Sequence, residues 1–413
     1  MKRLRPSLVA AHEDVLNQPL ARARMERMLG AMEVGEFREV NDASLAALVQ
    51  NRWQNPTDRN EDGTYRDPDI VFSRWRFDGP ETELQARAAA HPCLGNRRLL
   101  GDAGLMLRDD ADLVHRRGSV CTTAWEFHSI IGCPFHCGYC GLGKGFINIA
   151  ANIEEQVAML DRWTRRNNFQ TIYKWDNQSD INCFEPEFDA TRLFVEYFRD
   201  CPDKYLLHYT GKSDNVDFML DYDHGGKTII QWSLAPRTQA RLIEVGSAPW
   251  DARIEAARKC QEAGYIVRFR FSPILPVRNW REEYVELIDR IFAQTNPDVV
   301  SLCFFGWMDL QAMRGCFDEA LLDPWALEAC EREEAEVMGR RYGPFPHSVR
   351  RTVHRFLVDE IRKRAPAVPL SLCLESEEMW SEFAEEMGRK GDGFLCNCGP
   401  VCTPGTAFYE NRQ

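Results

Sequence analysis

The sequence predicts an α/β protein: a partial (β/α)6 TIM-like barrel, with a helical N-terminal extension before it and a Cys-rich C-terminal tail after it. Two observations carry this prediction. From about residue 120, short apolar runs alternate with amphipathic helical stretches, the pattern of parallel βα units. The first of those runs leads straight into Cys133-Pro134-Phe135-His136-Cys137-Gly138-Tyr139-Cys140, three cysteines spaced C-x3-C-x2-C. In such a barrel this loop belongs at the mouth, where the strand C-termini end and ligands bind.

The segments read as 1–118 for the extension, 119–310 for the barrel, 311–390 for a helical and strand completion of the core, and 391–413 for the tail. In the extension, 8–32 reads as helix with a break allowed at Pro19, and 44–54 as a short helix begun by Asn41 and Asp42. Residues 55–68 are polar and turn-rich, an exposed loop. Trp53, Trp75 and Phe77 are expected to pack the extension on its neighbour. Barrel strands are expected at 125–131, 171–175, 205–209, 228–234, 266–273 and 299–305. The helices between them fall at about 153–166, 189–199, 215–220, 251–263 and 281–294. In the fourth, Ile254, Ala257 and Cys260 share a face, with Arg253, Glu255, Lys259 and Glu262 turned to water. Helices at 319–339 and 348–363, a strand at 368–374 and a helix at 376–387 complete the core.

Composition narrows the function. The chain has 63 acidic and 51 basic residues and a net charge of −12, so it is no generic polyanion binder, and no Lys/Arg block marks a nucleic-acid arm. No apolar run approaches the ~18 residues of a membrane span. The polar start lacks a signal-peptide core. Fifteen cysteines in so long a chain do not make a secreted disulfide framework, and a reducing, cytoplasmic setting is expected, without membrane association.

Three thiolates on one short loop can bind three irons of a [4Fe–4S] cluster and leave the fourth open for chemistry. A zinc loop and three buried cysteines are the other readings. A second soft-ligand group, Cys396, Cys398 and Cys402, lies in the tail as C-x-C-x3-C. It reads as an auxiliary cluster, as a zinc or thiophilic-substrate site, or as a mobile tail whose cysteines do nothing particular.

The C-x3-C-x2-C spacing resembles the signature of the radical S-adenosylmethionine (SAM) enzymes. Further stretches resemble the spore photoproduct lyase branch: Gly211-Lys212-Ser213-Asp214-Asn215-Val216, Gln231-Trp232-Ser233-Leu234-Ala235-Pro236, Phe271-Ser272-Pro273-Ile274-Leu275-Pro276 and Leu372-Cys373-Leu374-Glu375-Ser376-Glu377. The resemblance spans roughly residues 120–387 and implies the following. Cys133, Cys137 and Cys140 hold a [4Fe–4S] cluster, SAM binds its open iron, and an electron donor such as flavodoxin or ferredoxin drives cleavage to a 5′-deoxyadenosyl radical. Lys212 and Ser233 match SAM-contacting positions, and Ser179 or Asp180 stands where many relatives carry a Gly-Gly-Glu segment for the SAM amino group. Cys183 matches a hydrogen-donating cysteine, and Tyr139 the first tyrosine of its radical relay. The second relay position is Gly141, a departure.

That departure and the acidic charge make a small molecule or peptide the expected substrate, with nucleic acid not expected as a partner. DNA photoproduct repair, transfer of SAM's 3-amino-3-carboxypropyl group to a soft acceptor and non-enzymatic zinc binding are the alternatives.

Overall fold

The computed structural model describes residues 1–55, 57–60, 62–77, 81–101, 105–108, 118–389 and 393–405. In chain order the strands are β1 (Val9–His12), β2 (Phe37–Val40), β3 (Asp69–Ser73), β4 (Leu105–Arg108), β5 (Ala124–Phe127), β6 (Ile130–Ile131), β7 (His136–Cys137) and β8 (Phe146–Ala150). They continue with β9 (Ile172–Trp175), β10 (Tyr205–Gly211), β11 (Thr228–Leu234), β12 (Glu244–Val245), β13 (Ile266–Ile274), β14 (Val299–Phe304) and β15 (Leu370–Cys373).

The larger sheet runs β15-β14-β13-β11-β10-β9-β5-β4. Its pairs are parallel except β4 with β5. The parallel strands follow chain order, with helices such as Ile153–Arg166, Ala190–Asp200, Trp250–Glu262 and Trp280–Gln294 as crossovers. This is the wall of the expected partial barrel, and β15 extends it by one further parallel strand. Its strands are rich in apolar residues and covered on both faces: all of β11 and β14 is buried.

The extension departs from the helical expectation. Residues 9–12 are not the start of a helix but β1, which pairs in parallel with β2 and β3. A short helix, Glu13–Leu16, follows, and a second one starts at Pro19 and runs to Gly30, so the helical stretch is broken just before Pro19, which occupies the first turn of the second helix. Short apolar runs such as Leu8 to Ala11 and Ile70 to Phe72 do not distinguish strand from buried helix by period, and the parallel pairing of β1 with β2 and β3, and of β3 with β8, settles them as strands. These strands join β8 and β6 in a second sheet, β2-β1-β3-β8-β6, so the extension shares its sheet with the segment that follows the cysteine loop. β4 likewise crosses the 118/119 boundary to pair with β5.

The expected first strand, 125–131, divides between the sheets. β5 stays in the barrel wall and β6 pairs with β8. Asp176 causes the split, because its carboxylate takes the backbone N–H groups of Ser129 and Ile130 at 3.0 and 3.4 Å and turns the chain. Residues 215–220 form only a short turn at Asp217–Met219. The 319–339 helix is divided into Pro324–Arg332 and Glu334–Val337.

The tail is also part of the core. Leu395, Cys396 and Cys402 pack with Ile172, Leu207, Ile229 and Val299 at the N-terminal ends of the strands. Arg268, fully buried, donates to the carbonyls of Asn397 and Cys402 at 2.6 and 2.7 Å and fixes the tail's path. Residues 391–392 and 406–413 of the expected tail lie outside the described residues.

Candidate active site

At the C-terminal ends of the barrel strands lies a cavity of about 380 Å³. Its walls include all three cysteines of the C-x3-C-x2-C loop, Tyr139, Asn177, Ser179, Asp180, Tyr209, Lys212, Arg270, Phe305 and Trp307.

The cysteine loop is wound tightly. Cys133 N–H donates to the Leu142 carbonyl at 3.0 Å and Cys140 N–H to that of Cys137 at 2.9 Å. Gly143 permits this winding, because a Cβ there would sit 2.1 Å from the Phe135 carbonyl oxygen. From outside, β12 pairs antiparallel with β7, setting Glu244 opposite Cys137. Burial pushes the Cys137 thiol up to about 12, and burial followed by the charges of Asp180, Cys137 and Cys140 pushes Cys133 well above its ordinary value. Thiols so placed ionise when a cationic centre takes them as ligands. Among the described residues, neither this triad nor the tail triad brings its three sulfurs within 4.8 Å of one another. A single tetrahedral zinc, with Zn–S bonds of ~2.3 Å, draws its sulfurs closer than that. The larger body of a cubane cluster tolerates wider spacing.

Across the cavity, Asp180 Oδ2 accepts the backbone N–H groups of Lys212 and Ser213 at 2.5 and 3.0 Å. Its Oδ1 has no hydrogen-bond partner, and neither have Ser179 Oγ and Asn177 Oδ1. Burial drives the Asp180 carboxyl up to about 7, against the lowering effect of those amides and of the Lys212 and Arg253 charges. Three buried oxygens without partners on one cavity wall are a built receptor for a donor group such as an ammonium.

Lys212 Nζ lies 3.6 Å from Glu244 Oε1 and 3.4 Å from the Ser272 carbonyl. Burial works against its charge, but Glu244 and then Cys137 and Tyr209 outweigh that and keep it a cation. Ser233 is buried and reaches the cavity only through Tyr209, whose hydroxyl is 2.6 Å from its Oγ. Cys183 is 2% exposed and is not on the cavity wall; burial, then the charges of Asp180 and Cys133, pushes its thiol well above the ordinary value. Cys396, Cys398 and Cys402 lie at the opposite end of the barrel, with Cys396 Sγ 4.0 Å from Cys398 Sγ.

Sequence reasoning missed Glu244 and misplaced Arg253. Arg253 is buried, not turned to water: its Nη1 donates to Glu244 Oε2 at 3.0 Å and to the Ser233 carbonyl at 3.1 Å. Helical period places a residue on a face but cannot show that the face meets a buried carboxylate from another segment. Tyr209 and Arg270 were also unforeseen; Arg270 alternates on its strand with Phe269 and Phe271, a signal that was available, whereas Tyr209 stands between the polar His208 and Thr210 and gives none.

Residues 122–308 match the family model described as spore photoproduct lyase. Residues 122–308 form a spore photoproduct lyase-like domain. The curated relatives agree with this resemblance. The spore photoproduct lyase of Bacillus subtilis is 31% identical over 174 residues, covering 41% of this chain and 51% of the relative. That of a Geobacillus species is 30% identical over 169 residues, covering 40% and 49%. The chain thus spans about half the length of the curated relatives it matches. The fold reaches further than the lyase-like domain. A spore photoproduct lyase complexed with dinucleoside spore photoproduct superposes with a TM-score of 0.62 at 18% identity, over 89% of this chain and 98% of that one. A variant lyase with bound AdoMet and dinucleoside spore photoproduct gives 0.61 at 19% identity, with the same coverage. Among the described residues no helix is long and apolar enough to cross a membrane.

Proposed function

We propose that the chain is a radical SAM enzyme whose [4Fe–4S] cluster is held by Cys133, Cys137 and Cys140, with SAM in the adjoining cavity. The single observation that carries this reading is the row of unpartnered oxygens, Asn177 Oδ1, Ser179 Oγ and Asp180 Oδ1, on a cavity that the three cysteines also line. Bound together, cluster and SAM supply a 5′-deoxyadenosyl radical that takes a hydrogen atom from an organic substrate. The residues of the chain bind and orient. Asp180, ionised, accepts from the SAM ammonium, and Lys212 opposes its carboxylate. Tyr209, fixed by Ser233, lines the wall between them. Phe305 and Trp307 supply apolar cover that excludes water from a reactive radical.

For the substrate we favour a dinucleoside lesion of the kind with which the lyase structures were solved. This counts against the expectation that nucleic acid is no partner. The net charge of −12 belongs to the whole surface, whereas the cavity carries Lys212 and Arg270 beside the aromatic rings of Tyr139, Phe305 and Trp307. Lysine, arginine and stacking rings are the groups that hold nucleotides. A second reading, a small molecule or peptide, rests on Gly141, which offers no side chain where the lyase relay has a tyrosine.

Anaerobic reconstitution with iron and sulfide, then dithionite and SAM, tests the proposal. The expected product is 5′-deoxyadenosine, lost together with the iron in the Cys133, Cys137, Cys140→Ala triple variant. Methylthioadenosine would instead mark aminocarboxypropyl transfer, and a colourless zinc protein that leaves SAM intact would end the radical reading. Adding dinucleoside spore photoproduct separates the two substrate classes.

A further inference from the structure

Beneath the cavity lies a thiol pair that the reading above does not use. Cys303 on β14 and Cys373 on β15 are register partners on neighbouring parallel strands. Nη2 of Arg270, on β13, donates to both sulfurs, at 2.9 and 3.0 Å. Arg270 itself lines the cavity, so the pair sits one guanidinium below it. Adjacent strands lie ~4.8 Å apart, within the Cα separation that a disulfide bridges. Cys303 is buried and Cys373 partly exposed.

The surroundings make the two thiols unequal. Donation from Cys373, with the Arg270 charge and hydrogen bonds from Ser272 and Arg270, outweighs burial and holds Cys303 at about 6. The same contact and burial push Cys373 well up. The other charged or titratable groups acting on this cluster are Cys398 of the tail, felt by Cys373 and Arg270, and Tyr209 of β10, felt by Arg270. A thiolate beside a protonated thiol is the division of labour of an attacking and a resolving cysteine.

We propose that Cys303 and Cys373 form a redox-active dithiol that reduces small hydroperoxides in the barrel lumen, with Arg270 positioning both sulfurs. The Cys303 thiolate attacks the hydroxyl oxygen of the hydroperoxide, the O–O bond breaks, and Cys303 becomes a sulfenic acid while alkoxide, or hydroxide from hydrogen peroxide, leaves. Cys373 then attacks the Cys303 sulfur; the S–S bond forms, the S–O bond breaks, and the Cys373 proton leaves with the hydroxyl as water. One peroxide is reduced by two electrons and the dithiol is oxidised by two. The assignment needs neither cluster nor SAM and stands apart from the radical reading.

The test uses the full chain, reduced, iron-free and anaerobic, with one equivalent of hydrogen peroxide at pH 7, acid quench, alkylation and peptide mass spectrometry. The expected first product is a Cys303–Cys373 cross-linked peptide. In Cys373→Ser, dimedone should trap a sulfenic acid on Cys303. Arg270→Met keeps both thiols and the Cys373 donation but removes the Arg270 charge and hydrogen bond from Cys303, so its rate should rise from pH 7 to 8 where the parent's is level. A first disulfide between any other cysteines would overturn the proposal, as would Cys303 and Cys373 both recovered alkylated. A level profile in Arg270→Met would remove Arg270 from it.

Discussion

Tyr139 donates its phenolic hydrogen to Glu244 Oε1 across 2.9 Å, tying the cysteine loop to a carboxylate 105 residues downstream. Glu244 is fully buried and also faces Arg253 and Lys212, so one side chain balances two buried cations and anchors the β12 strap on β7. Replacing Glu244 by Ala strands those cations, and loss of one partner of a buried pair costs ~3–5 kcal/mol. Urea denaturation should show that loss, and reconstituted iron per chain should fall with it because the strap no longer holds the loop.

Two glycines of the same loop should behave oppositely. Gly143→Ala drives a Cβ into the Phe135 carbonyl and should abolish iron binding. Gly141 has open space around it, with nothing within 4 Å of a Cβ. Gly141→Tyr should therefore fold with a stability change within ~1 kcal/mol, as surface substitutions do. If the substrate is a lyase lesion, the variant should also raise repair turnover, which product chromatography would measure.

Stability should fall with rising pH through the titration of His128. Burial opposes its charge, but Asp176 and then Glu126 outweigh that and raise it to about 9. A histidine held above its unfolded value stabilises fully below pH ~6.5, and that contribution disappears as pH climbs through the folded value. The span corresponds to about 3 kcal/mol. Urea midpoints from pH 6 to 9.5 should decline in the parent, and His128→Gln should flatten that slope while lowering the starting stability.

Arg268→Leu should free the tail. It removes three hydrogen bonds, to Asp298, Asn397 and Cys402, and leaves buried carbonyls without donors. Each such group costs ~1–3 kcal/mol. Limited proteolysis should cut the variant within residues 393–405 under conditions that leave the parent intact.

The barrel and its cysteine loop were legible in the sequence because their signals are local. A short run rich in apolar residues such as β11, with Ile229, Ile230, Trp232 and Leu234, or a C-x3-C-x2-C spacing needs no knowledge of what lies across the fold. Asp180, with Ser179, came from the family resemblance, which puts a SAM-binding segment after the second barrel strand. Glu244 was not legible: its importance comes from Arg253, Lys212 and Tyr139, which reach it from three other segments. The extension was misread for a related reason. The four apolar residues from Leu8 to Ala11 fit a strand or a helix equally, and only partners from β2 and β3 decide between them.

The residues around Cys396 and Cys402, pinned by Arg268 against the strand N-termini, stopper the barrel from below. They seal the floor of the wall, and the cavity that the cysteine loop lines lies at its opposite rim.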